Sequence, residues 1–147
     1  CVKEKHCIFG EVVGDAALSV PFVRLTPEGK TVQFFVENTS AAYSGVSVAS
    51  YVIMPNHVHI LLLIHEPIAH SNKDGTLRAA SPTKTAVPQI IRAVKSLTTR
   101  KLGHSIWQRS YHEHVVRDFA EFRKISEYID NNPQTWADDK YFTRERL

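Results

Sequence analysis

An α+β fold, an antiparallel sheet with helices laid on it, is what the hydrophobic pattern of this sequence predicts. Three observations carry the prediction. Short β-branched segments alternate with longer stretches at helical spacing, in the order strand, helix, strand, strand, helix, strand, helix. Helix starts and stops are written in local chemistry, at Thr26-Pro27 and Asp118 and at Gly103 and Pro133. The 147 residues are 43% hydrophobic and 22% charged, one domain's worth of chain with enough apolar material for a core.

Taken in order, Val2 to Val20 reads as short strands around a turn, with Gly14-Asp15 at the tip. Thr26 is a helix N-cap followed by Pro27 in the first turn, and Val32, Phe35, Val36, Thr39 and Tyr43 recur at helical spacing. The β-branched run "SGVSVASYVIM" is a strand, Pro55-Asn56 a tight turn, and His57 to Ile64 the returning strand. Residues 66–86, rich in Ser, Lys, Asp, Gly and Pro, read as a flexible loop. Val87 to Leu102 is a helix with Ile90, Ile91, Val94 and Leu97 inward and Arg92, Lys95 and Thr99 outward. Tyr111 to Arg117 is a strand. Asp118 with Glu121 forms a capping box for a last helix, Phe119 to about Asn131, halted by Pro133. This order is the ferredoxin-like split βαβ pattern plus a terminal helix. It gives one domain over residues 1–136 and a polar tail over 137–147 with a few aromatic anchors. One sheet face meets the helices. The other needs the last helix or a second subunit to cover it.

Net charge is +3, but its distribution is uneven: residues 73–109 hold eight Lys and Arg against the single acid Asp74. An anionic partner or a solvated basic face both fit. Cys1 and Cys7 lie roughly 20 Å apart if that segment is extended, beyond disulfide reach, and there is no CxxC. A reduced, cytoplasmic setting is expected. No run approaches the ~18–20 apolar residues of a membrane span, and no signal peptide is visible. The chain opens on Cys1 rather than Met, and native residues are expected to precede it.

The segment "YVIMPNHVHILLLI" places two histidines in a very apolar part of the chain. Strand side chains alternate, so Val58, Ile60, Leu62 and Ile64 share the helix-facing side, and His57, His59, Leu61 and Leu63 the other. Residues two apart on a strand have Cα atoms about 6.6–7 Å apart, so both imidazoles can reach one metal ion. Two hydrogen-bonded histidines in a half-buried sheet fit the same pattern. A metal would need further ligands from elsewhere in the chain. Leu61 and Leu63 show that this face is not simply wet.

In "ISEYIDNNPQTW", Phe122, Ile125 and Ile129 form the buried stripe. Tyr128 sits at its edge, and Asn132 follows one turn on, so a phenol and a carboxamide project together. A phenol can be a nucleophile and an amide oxygen a ligand for a hard metal. A half-buried core Tyr and a helix-stopping Asn explain the same residues.

Together, "YVIMPNHVHILLLI", "WQRSYHEHVVRD" and "ISEYIDNNP" resemble the IS200-like single-tyrosine (Y1) transposases, and the "MPNHVH" form resembles their REP-associated branch. The resemblance runs in order over roughly residues 1–136. It implies that His57 and His59 are the HUH pair that binds a divalent ion, Mg²⁺ or Mn²⁺, and that Tyr128 is the catalytic tyrosine. Asn132 falls at the third-ligand position, where some members carry Gln. It also implies a reaction: the tyrosine attacks a scissile phosphate in single-stranded DNA, giving a 5′-phosphotyrosine bond and a free 3′-hydroxyl that can later reverse the step. On ligand softness alone, two imidazoles favour Mn²⁺ or Zn²⁺ over Mg²⁺.

Related proteins recognise hairpins in single-stranded DNA. Arg92 and Lys95 are read as phosphate contacts, and Arg109 and Arg117, which flank the strand before the last helix, as further DNA contacts. His112 and His114 are read as structural. Some Y1 enzymes are homodimers in which each tyrosine helix serves the partner's metal site, whereas the REP-associated branch can act as monomers. Three functions follow in order of fit: a DNA nickase and strand transferase, a non-catalytic (domesticated) hairpin-binding module of the same fold, and a hydrolase that uses water instead of tyrosine.

Overall fold

The computed structural model describes residues 1–14, 20–65 and 82–142, with side chains from residue 86 in the last segment. The expected tip residue Asp15 and most of the expected loop lie outside this range. Strand β1 (Gly10–Val13) pairs antiparallel with β2 (Phe22–Leu25), Gly10 opposite Leu25. The second strand of this hairpin thus lies beyond Val20, later than the sequence reading put it. Helix α1 (Pro27–Glu37) starts as its chemistry dictates: the Thr26 hydroxyl accepts from the Gly29 amide at 3.1 Å and donates to the Ile8 carbonyl at 2.7 Å. A short turn of helix, α2 (Thr39–Ala42), follows.

Strands β3 (Val46–Ile53) and β4 (Val58–Ile64) form the second hairpin. Its register shifts between Val48, opposite Leu62, and Ser50, opposite Leu61, so Ala49 is bulged out. The shift shows in the packing. Val46 and Val48 join the main core before the bulge, and Tyr51 and Ile53 join it after, beside Val58, Ile60 and Leu62 of β4. Those residues meet Val32 and Val36 of α1 and Ile90 and Val94 of α3 (Pro82–Leu102). The predicted helix-facing set of β4 is therefore observed for these three positions.

Helix α3 begins five residues earlier than predicted and contains Pro88. Pro88 is the seventh residue of this helix, past the first turn, so it gives up one internal backbone hydrogen bond without ending the helix. Leu97 is 39% exposed, and the fourth inward position belongs to Thr98, whose hydroxyl bonds the Val94 carbonyl at 2.7 Å. Helix α4 (Phe119–Asn131) packs on the opposite face of β3 and β4, supplying from this same chain the cover that face needed. Leu61 is buried there, while Leu63 stays 38% exposed.

The α+β class holds, but the sheet is less continuous than the split βαβ order suggested. Among the described residues, the two hairpins are separate two-stranded sheets, and Tyr111 to Arg117 forms no strand. What joins the parts is the N-terminal segment. The Val2 and Phe9 amides donate to the carbonyls of Asn56 and Pro55, at 2.9 Å each, and on its other side Lys3 N–H bonds Ile106 O and Gln108 N–H bonds Cys1 O. This narrow seam also carries an isolated antiparallel bridge between Val2 and Trp107.

Candidate active site

His57 is fully buried at the start of β4, and His59 lies two residues along the strand on the same face. Their Nε2 atoms are 3.1 Å apart and their rings meet edge to face. Burial is the main force on both. It drives the His57 pKa down to about 3, helped by the neighbouring His59 and Lys140, and it lowers that of His59 against an opposing pull from Asp139. Both imidazoles are thus neutral near pH 7, the form that ligates metals.

The tail completes the group. After α4 the chain runs through a 3₁₀ segment, Asn132–Asp138, and turns back over the histidines. Trp136 and Tyr141 place their rings 5.9 and 4.8 Å from that of His57. They belong to a second, smaller core with Cys7 and Met54, against which Val12, Val23 and Val52 pack. Asp139, between these two aromatics, puts Oδ2 3.9 Å from His57 Nε2. One ligand atom from each of His57, His59 and Asp139 lies within 4.8 Å of the others. With His57 neutral this is no ion pair, and a carboxylate facing two bare imidazoles matches what a divalent cation needs.

Tyr128 projects from α4 beside this group. Its ring is 5.5 Å from that of His59, edge to face, and half of its surface is open. The tyrosine and the histidine pair of one chain therefore sit together. Asn132, at the end of the same helix, is 1% exposed, and among the described residues neither polar atom of its amide has a hydrogen-bond partner. A buried amide without a partner costs roughly 1–3 kcal/mol. A cation accepting its oxygen as a ligand would relieve half of that deficit. His57, His59 and Asp139 thus offer a divalent ion two neutral imidazoles and one carboxylate.

The expected DNA-contacting residues divide. Arg92, Lys95 and Arg109 line one cleft of about 570 Å³ with Lys3, Trp107 and Tyr111, and among the described residues no acidic side chain lines it. Lys95 is less free than its helical position implied. Its ammonium donates to the carbonyls of Gln108 at 2.8 Å and Ser110 at 3.0 Å, and burial lowers its pKa. Arg117 lies outside that cleft and is exposed; its backbone N–H bonds Glu121, which also takes His114 Nε2 at 2.7 Å. The Glu121 carboxyl is held low chiefly by that Arg117 amide. Glu121 reaches back to the residue before the cap rather than to the cap itself, while the Asp118 side chain accepts from the Glu121 amide at 2.8 Å.

Asp139 was not among the candidate residues read from the sequence. The tail was read as polar with aromatic anchors, and the signal lay in an acid held between two such anchors, Trp136 and Tyr141.

The profile described as transposase IS200-like matches residues 30–132 of this chain, which spans both histidines, the tyrosine and Asn132. An uncharacterized protein of Haemophilus influenzae is 32% identical over 152 residues, covering 97% of this chain and 81% of that protein. No solved structure matches the chain.

Proposed function

Because this chain belongs to the IS200-like transposase family, we propose that it nicks single-stranded DNA at hairpins and rejoins strands through a 5′-phosphotyrosine, with Tyr128 as nucleophile. The observation that carries this is the placement of the Tyr128 ring 5.5 Å from that of His59, at the rim of the His57, His59 and Asp139 group.

In this reading His57, His59 and Asp139 hold the ion, with Asn132 as a further oxygen ligand. The ion is Mg²⁺ or Mn²⁺, and the imidazole pair favours Mn²⁺. When bound, it supplies Lewis-acid polarisation of the scissile phosphate and charge stabilisation at the leaving oxygen. The phenol oxygen of Tyr128 attacks phosphorus in line. The Tyr O–P bond forms as the P–O3′ bond breaks, the phenolic proton is given up, and the departing 3′-oxygen takes one. No water enters, so the phosphodiester energy is retained and a 3′-hydroxyl can reverse the step. The half-open tyrosine can be reached by a strand, while the histidines beneath it are shielded by Trp136 and Tyr141. Arg92, Lys95 and Arg109 in their cleft, with Arg117 nearer α4, track the phosphates of the substrate.

A denaturing gel tests this directly. Protein mixed with labelled hairpin DNA from beside its own gene, with Mn²⁺, is expected to give a covalent adduct. The adduct disappears in Tyr128→Phe and in EDTA, while Tyr128→Phe still binds the hairpin. Cleavage that persists in Tyr128→Phe without an adduct assigns the attack to water. Binding without cleavage by the wild-type protein identifies a hairpin-binding module instead.

A further inference from the structure

We propose that Asn56 is the positioning residue of the metal centre: its amide, locked in one orientation, places the proton of His57 on Nδ1 and leaves Nε2 bare toward the ion. This rests on the metal site proposed above.

The orientation follows from donors and acceptors alone. The Asn56 Nδ2 lies 2.9 Å from the Lys5 carbonyl and 2.8 Å from the Tyr141 carbonyl. Carbonyls only accept, so this end of the amide must be the nitrogen, and both of its hydrogens are used. The other end is Oδ1, which can only accept. It lies 2.9 Å from His57 Nδ1. An acceptor facing that nitrogen requires a proton on it. A neutral imidazole carries one such proton, so Nε2 holds a lone pair, and it points at His59 Nε2 and toward Asp139. The opposite tautomer would set two lone pairs against each other at 2.9 Å. Asn56 and His57 are each 1% exposed, so bulk water does not compete for the contact.

Two further consequences follow. In the metal-free protein, His59 must donate its Nε2 proton across the 3.1 Å contact, because His57 cannot. Also, the two carbonyls that lock Asn56 come from opposite ends of the fold, one from the N-terminal seam and one from the tail over the histidines. A ligating nitrogen is thereby tied to the closure of both chain ends. Partners of this kind typically change metal affinity 10–100-fold when removed.

The experiment combines two readouts on the full chain. In EDTA, long-range ¹H–¹⁵N correlation spectra of ¹⁵N-histidine-labelled protein at pH 7.5 report which nitrogen carries each proton. The wild type is expected to show His57 protonated at Nδ1 and His59 at Nε2. Asn56→Ala is expected to lose the fixed His57 form. Titration with Mn²⁺ should then show binding weakened roughly 10–100-fold in Asn56→Ala. His57 protonated at Nε2 in the wild type overturns the proposal whether or not the variant folds. So does an Asn56→Ala protein with wild-type Mn²⁺ affinity. A wild type with the expected tautomer that binds no Mn²⁺ overturns the metal reading instead.

Discussion

Replacing Asp139 by Asn probes the metal reading at its least anticipated member. The substitution is close to isosteric and spares the local turn. Asp139 Oδ1 accepts from the Tyr141 amide at 2.6 Å, and an Asn oxygen can keep that bond. What changes is the second oxygen, 3.9 Å from His57 Nε2, which becomes a neutral NH₂ group. A unit charge about 4 Å from a carboxylate interacts by about 4 kcal/mol at an effective dielectric of about 20, and a divalent ion doubles this. An amide replaces much of that attraction with its dipole and escapes the desolvation a carboxylate suffers. If a quarter to a third is not replaced, the loss is about 2–3 kcal/mol, or a Mn²⁺ dissociation constant raised roughly 30–150-fold. Titration calorimetry with Mn²⁺ measures it. Denaturant unfolding in EDTA should show that the metal-free variant stays within about 1 kcal/mol of wild type. Binding within threefold of wild type would refute the reasoning and leave Asp139 as a packing residue of the tail.

Two predictions concern stability. A Cβ on Gly29 would fall 2.0 Å from the carbonyl oxygen of Phe9, a fully buried residue whose carbonyl accepts from the Thr26 amide. The backbone must shift, so Gly29→Ala should cost about 3 kcal/mol or more in urea unfolding, and a cost below 1 kcal/mol would show that the contact relaxes freely. The second concerns acid. An unfolded imidazole titrates at about 6.5, whereas burial holds folded His57 at about 3. Between those values the unfolded chain binds a proton that the folded His57 refuses. Stability is therefore complete above pH 6.5 and declines on acidification, by up to about 1.4 kcal/mol per pH unit for this one group. Unfolding in EDTA from pH 6.5 to 5, above most carboxylate titrations, should show this slope; a flat profile would mean that His57 becomes protonated in place.

Much of the site was legible because it depends on local geometry. The alternation of β4 put His57 and His59 on one face, and the α4 repeat put Tyr128 and Asn132 one turn apart. Caps were equally local: Thr26 and Asp118 each accept the amide three residues on, at 3.1 and 2.8 Å. Asp139 was not legible, because its approach to His57 depends on the course of the 3₁₀ segment after Pro133 and on two aromatic rings finding a core made by other elements. The anchoring of Lys95 was not legible for a related reason. A helical wheel records where a side chain leaves the helix, not where a long stem ends, and this one ends on two carbonyls of residues 108–110. The run from Tyr111 to Arg117 has β propensity but finds no strand partner among the described residues, and propensity without a partner makes no ladder.

The bulge at Ala49 acts on β3 as a change of phase. Before it, even-numbered residues face the main core; after it, odd-numbered ones do. Drawing Ala49 into the ladder as an ordinary paired residue would impose strict alternation along the strand and turn its second half over. Tyr51 and Ile53 would then face α4, and Ser50 and Val52 would enter the main core. Ser50 would leave Asp130 of α4, to which its hydroxyl now donates at 3.2 Å. Val52, the cross-strand neighbour of His59, would leave the small core beneath the tail. The bulge at a single alanine thus keeps the two halves of one strand in the phases that the core and the metal-facing side each require.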